Sequence, residues 1–270
     1  MVLATVLDTR GAVPRHRGAQ MLITATRTQF SVGGGRLEAR VVERARQLLR
    51  DGGDRDLVAI DLTGRVGGDG VCGGVMRVAL KCWQGAADRA RATAIVAILR
   101  DGQSQTLHFA DLGADFAQII APDPRLLIIG AGHCGLALHR AASALDFDIH
   151  MIDARNEGYD HADFTGAHCH DRVDDVTTCL ATARQIYAVL LNRDYHADVA
   201  ALRMLATRPP HFIGMMGSRK RIAEVFAALP ELREFCARVV APVGVDIGAE
   251  TPEEIAISIL AQLIAELHKA

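Results

Sequence analysis

Apolar positions alternate from Val2 to Leu7 and again from Gln20 to Thr24, the two-residue period of a strand. Between them lies a turn-rich segment, Thr9–Gly18. After Phe30 the period lengthens. Leu37, Val41, Val42, Ala45, Leu48 and Leu49 fall on one face of a helix, which Asp51-Gly52-Gly53 stops. Two more strands are predicted over Asp56–Leu62 and Val75–Trp83, flanking a loop with seven glycine or aspartate positions between Gly64 and Gly74. A helix over 86–100 and a strand over 104–110 complete this half.

At Ala121-Pro122-Asp123-Pro124 the pattern resets, because two prolines in four residues forbid regular structure. Beyond it, strand and helix alternate. Strands are predicted over 125–129, 148–152, 167–170, 186–191, 211–215 and 238–241. Helices fall near 134–145, 174–183, 198–207, 219–229 and 252–268. Thr251, Pro252 and Glu254 have the spacing of an N-cap, a proline at the first helical position and a capping box. Such alternation makes parallel βαβ units. The reading is an α/β protein: a doubly wound, Rossmann-like C-terminal sheet of six parallel strands over 122–270, and a separate N-terminal α/β domain over 1–121.

At 270 residues the chain has room for two cores. A net charge of −2 with interspersed signs leaves no basic footprint for nucleic acid, and 4% aromatic residues are too few for base-stacking platforms. No apolar run reaches the roughly 18 residues of a bilayer span, so membrane insertion is not expected. The first residues lack the charged region and cleavage site of a signal peptide, and the six cysteines show no CxxC pair, which predicts a cytoplasmic protein with reduced thiols.

The chemistry-bearing motifs are glycine-rich. Leu126–Gly135 is an apolar strand running into Gly130-Ala131-Gly132-His133-Cys134-Gly135 and a helix, the dinucleotide fingerprint. Asp153 follows at the end of the next strand, where a carboxylate accepts from a ribose hydroxyl. Arg155 leaves room for a 2′-phosphate. Gly217-Ser218-Arg219-Lys220-Arg221 follows a strand and opens a helix. Cations are disfavoured at a helix N-terminus unless an anion is present, so three of them predict a phosphate site. Gly33-Gly34-Gly35 before a helix has the shape of an anion-binding nest. Cys72, beside Gly73 and Gly74, is either an accessible thiol able to ligate metal or attack sulfur, or a small buried hydrophobe. His168 and His170 share one face of a strand while Cys169 points the other way. Two ligands do not complete a tetrahedral site unless His161 or Asp163 joins, so a metal cluster is not expected there.

Six blocks carry a family likeness across essentially the whole chain: Thr9–Arg15, Ser31–Glu38, Cys72–Gly74, Gly130–Gly135, Gly214–Arg219, and Pro242–Gly248 followed by Thr251–Ile255. In this order they resemble the xanthine dehydrogenase accessory (XdhC/CoxI) family. The resemblance implies a cytoplasmic chaperone, not an enzyme that turns over. It implies binding of the molybdenum cofactor, a pterin dithiolene with a terminal phosphate, while a cysteine desulfurase supplies sulfide. Transfer to the large subunit of a molybdenum hydroxylase follows. Taken with the motifs above, the candidate cofactor-binding residues are Gly33, Gly34, Gly35, Gly73, Gly74, Gly130, Gly132, His133, Gly135, Asp153, Gly217, Ser218, Arg219 and Asp246, with Cys72 as reactive residue and metal ligand. NAD or another dinucleotide is a further candidate ligand, and a homodimer a candidate assembly. The chain lacks the doubled cysteine before Cys72 that many members carry, and has Asn192–Asp198 where many have Thr-His-Asp. Two other functions stay open: an NAD(P)-dependent oxidoreductase of small aldehydes or purines, which lacks an acid–base pair at recognisable spacing, and a docking module without cofactor.

Overall fold

The computed structural model describes residues 1–66, 68–108, 117–154 and 160–269, and divides into two compact units, 1–100 with 104–121, and 101–103 with 122–270. Arg155, Gly67 and residues 109–110 of the strand predicted over 104–110 lie outside the described residues.

The first unit is built on a five-stranded antiparallel sheet. Its strands are β1 (Val2–Arg10), β2 (Gln20–Ile23), β3 (Thr28–Phe30), β4 (Arg55–Asp61) and β5 (Val75–Cys82), in the order β3-β2-β1-β5-β4. The two-residue period sends Val2, Ala4 and Val6 to one face, where α1 (Gly35–Arg50) covers them with Leu37, Val41, Ala45 and Leu48. The same alternation puts Leu7 on the opposite face, at a register shift between Val6 and Asp8. There Leu7 and Ala79 pack with Ile95 of α2 (Gly85–Arg100) and with Leu107 and Ile120 of a hairpin, β6 (Gln105–His108) and β7 (Ala117–Ile120).

The second unit is a parallel sheet with the order β10-β9-β8-β11-β12. The strands are β8 (Arg125–Ile129), β9 (Asp148–Ile152), β10 (His168–His170), β11 (Ile186–Leu190) and β12 (Phe212–Met215). The helices are α3 (His133–Ala142), α4 (Asp175–Leu180), α5 (Tyr195–Thr207), α6 (Arg219–Ala227), the single turn α7 (Arg233–Cys236) and α8 (Pro252–Leu267). Both faces are covered, which is why β8 and β11 read as continuous apolar runs. Among the described residues the sheet has five strands, one fewer than the sequence predicts. Val240 makes a single parallel bridge to Gly214 and pairing stops, because Pro242 has no N–H to continue the ladder. Chain order reverses between β8 and β11, so the Gly130–Gly135 turn lies at the switch point.

Candidate functional site

In the first unit three of the sequence blocks converge. A Cβ on Gly74 would lie 2.4 Å from the Ala12 carbonyl oxygen, and one on Gly11 (φ +73°) would lie 2.9 Å from that of Gly73. A Cβ on Gly33 would lie 2.7 Å from the Pro14 ring. Segment 10–14 is therefore in backbone contact with the Cys72–Gly74 turn and against the Gly33–Gly35 turn. Gly73 and Gly74 close the base of loop 63–72 through hydrogen bonds with Leu62 of 2.7 and 2.8 Å. A 2.5 Å ion pair from Arg40 to Asp69 ties α1 to that loop. Cys72, the last residue of that loop, is exposed, which removes the packing alternative. A groove of about 490 Å³ runs along the adjoining strand ends, lined in part by Asp8, Arg10, Asp61 and Arg77. Among the described residues, the guanidinium groups of Arg10, Arg15 and Arg36 have no hydrogen-bond or ion-pair partner.

The predicted nest at Gly33–Gly35 carries an occupant from the chain itself. Glu38 Oε2 accepts from Ser31 Oγ (2.5 Å), Gly34 N (3.1 Å) and Val32 N (3.2 Å). Burial alone would raise this carboxyl, but the hydrogen bonds from Ser31 and the loop amides outweigh it and hold its pKa below the ordinary value.

In the second unit the fingerprint glycines answer to sterics. A Cβ on Gly135 would lie 2.0 Å from the Gly130 carbonyl oxygen, and one on Gly130 (φ +117°) 2.8 Å from the Leu191 backbone. Gly132 caps α3 and His133, its first residue, is exposed. Asp153 is 4% exposed, and its Oδ2 accepts from Ala131 N at 2.7 Å, so it clamps the glycine turn from the end of β9.

The Gly217–Arg221 motif needs a correction: its three cations do not converge. Arg221 turns back to Asp198, a fully buried residue of α5 that also accepts from Asn192 Nδ2 at 3.0 Å. Lys220 leans on Glu224 at 4.0 Å. Ser218 caps α6 by accepting from Arg221 N at 3.3 Å. Only Arg219, exposed and without a partner among the described residues, remains at that turn. Gly217 and Asp246 do meet, on a pocket of about 480 Å³ between the end of β12 and loop 242–249. That loop is pinned to α8 by Ser258 Oγ on the Val245 carbonyl (2.6 Å) and by Gln262 Oε1 on Gly244 N (2.6 Å).

A model of the XdhC Rossmann domain matches residues 126–263, half of the chain. The chain belongs to the XdhC family. The model of the XdhC and CoxI family matches residues 1–61. Among curated relatives, an uncharacterized protein of Escherichia coli K12, YqeB, is 30% identical over 99% of this chain and 44% of its own length. A probable xanthine dehydrogenase subunit of Bacillus subtilis is 28% identical over 58% of this chain and 47% of its own. The chain thus spans less than half the length of these two relatives. The molybdenum cofactor insertion chaperone PaoD of Escherichia coli K12 is 25% identical over 99% of this chain and 84% of its own. A crystal structure of a Bacillus halodurans protein described as a xanthine dehydrogenase superposes with a TM-score of 0.84, at 23% identity over 99% of this chain and 91% of that one. At that identity the likeness speaks for the XdhC fold.

Within this XdhC fold one cluster escapes the sequence reading. His161 pairs with Asp171 at 2.7 Å, so it does not join His168 and His170. Instead His150 of β9 and Cys179 of α4 meet His170. The signal was parallel register: His150 pairs with His168, and period two then places His170 on the same face.

Proposed function

We propose that this chain holds the molybdenum cofactor on its N-terminal unit and passes it to a xanthine dehydrogenase-type hydroxylase, as a carrier rather than an enzyme that turns over. The observation that carries the reading is the exposed Cys72 thiol on a glycine turn packed against segment 10–14. A soft sulfur donor suits a molybdenum centre or an incoming sulfide, and glycine neighbours leave it approachable. The guanidiniums of Arg10, Arg15 and Arg36, which have no hydrogen-bond partner among the described residues, suit a terminal phosphate, since arginine matches phosphate geometry in two parallel hydrogen bonds. PaoD, similar over nearly the whole chain, is a molybdenum cofactor insertion chaperone. When bound, the cofactor supplies the metal on which the client's chemistry runs. The work of this chain is to bind it, orient its sulfur face toward Cys72 and release it. Delivery of sulfide by a cysteine desulfurase belongs to the same reading.

The test is purification from cofactor-producing cells, with pterin fluorescence and molybdenum content measured for the parent and for Cys72→Ser. The parent is expected to carry pterin. The variant is expected to retain at most about a tenth, the equivalent of about 1.4 kcal/mol, with an unchanged melting temperature because Cys72 is exposed. Equal pterin in both proteins removes Cys72 from the site, and no pterin in the parent removes the reading.

A further inference from the structure

Three ligand-type atoms converge beneath the second unit's sheet edge. His150 Nδ1 lies 3.0 Å from His170 Nε2, and Cys179 Sγ lies 3.5 and 3.4 Å from these two nitrogens. His150 and Cys179 are buried and His170 is half-buried, so the group is reached from one side only. The geometry points to a site for a d-block divalent cation of the zinc class, held by His150, His170 and Cys179 with its fourth position toward solvent.

The distances fit the chemistry. A point equidistant from the three atoms lies about 1.9 Å from each, and a metal raised slightly out of that plane reaches the ~2.0–2.1 Å of zinc–nitrogen and the ~2.3 Å of zinc–sulfur bonds. Two imidazoles and a thiol select zinc, cobalt or copper over magnesium or calcium, which take oxygen.

The surroundings supply what a metal-bound histidine uses. His150 Nε2 is buried without a hydrogen-bond partner, and its nearest acceptor is Asp148 Oδ2 at 3.5 Å. Asp148 is fixed by Arg125 (2.8 and 2.9 Å) and by Arg184 (3.3 Å). Once Nδ1 gives its lone pair to a metal, Nε2 must carry the proton and point it at a carboxylate already in place. This is the carboxylate–histidine–metal relay. On binding, the Sγ–H bond of Cys179 is exchanged for a sulfur–metal bond and the proton leaves to solvent. His168 stacks on His150 with ring centroids 4.7 Å apart.

The experiment is titration of the metal-stripped full chain with cobalt(II), followed by chelator competition with zinc(II). One equivalent is expected, with tetrahedral visible bands and a sulfur-to-cobalt charge-transfer band. Cys179→Ser should lose the charge-transfer band, and His170→Ala should weaken zinc binding by more than about 100-fold. Asp148→Asn, one shell out, should weaken it by about 10- to 100-fold. Cys72→Ser and Cys169→Ser should leave spectrum and affinity unchanged, which separates this site from Cys72. Less than stoichiometric binding by the parent, an octahedral spectrum without the charge-transfer band, or loss of that band in Cys72→Ser would overturn the assignment. His170 is partly exposed, so His170→Ala is the variant to rely on if Cys179→Ser melts early, and unchanged zinc affinity in it is equally fatal.

Discussion

Asp198→Ala tests the ion pair that joins α5 to α6. The Asp198 carboxylate is 1% exposed and accepts from Arg221 and from Asn192, while the Arg221 side chain is 21% exposed. Removing one partner of a buried pair costs about 3–5 kcal/mol, because the other charge is left uncompensated. Arg221 also donates to the Asp194 carbonyl at 3.2 Å and reaches some water, so the low end, about 3 kcal/mol, applies. For a unit of roughly 150 residues that lowers the melting temperature by about 6–12 °C. Thermal unfolding by circular dichroism measures this, with amide exchange in α5 and α6 to localise the loss. Burial pushes the Asp198 carboxyl up, and hydrogen bonds from Asn192 and Arg221 offset that only in part, so its ionisation costs stability. An apolar pair, Asp198→Leu with Arg221→Met, should therefore recover most of what the single change loses. A single variant within about 1 kcal/mol of the parent, or a double variant as weak as the single, would refute this account of the pair.

Two further outcomes follow from the glycine turns. Gly135→Ala places a Cβ 2.0 Å from a backbone oxygen, so it should cost at least the ~1–3 kcal/mol of core overpacking; a variant that melts like the parent would show that α3 can slide off β8. The Glu38 carboxyl has a folded pKa below its ordinary value of 4.5, so the stability it contributes is present above that value and lost as pH falls through the folded one. The amide signals of Val32 and Gly34 should accordingly titrate together with a midpoint below 4.5, and a midpoint at or above it would mean the carboxylate does not hold the loop.

Periodicity made much of the fold legible. Leu37, Val41, Ala45 and Leu48 are three or four residues apart, and they are the buried face of α1. Thr251 and Glu254 form the capping box their spacing predicts. What escaped reading depends on contacts far apart in sequence, or on residues without pattern. Strand β3 has three residues, all exposed, so no alternation marks it, and it ends in Phe30 at φ +64°, a conformation no propensity anticipates. The sixth strand failed because Val240 looks extended but Pro242 cannot pair. At the site, glycines announced themselves, yet sequence could not show that Glu38 fills the turn before it, or that Arg221 faces Asp198. His150, His170 and Cys179 span 29 residues and meet only through the register of β9 with β10 and the seat of α4.

The Glu38 carboxylate gives the Gly33–Gly35 turn a tenant. The loop is set before any guest arrives, so no ordering entropy remains to be spent there on arrival. On the proposed reading, a phosphate reaching this turn would compete with Glu38 for the Val32 and Gly34 amides and the Ser31 hydroxyl. Its binding would then be an exchange between two anions, with a shallower net free energy than the filling of an empty seat, in keeping with a carrier that must release what it holds.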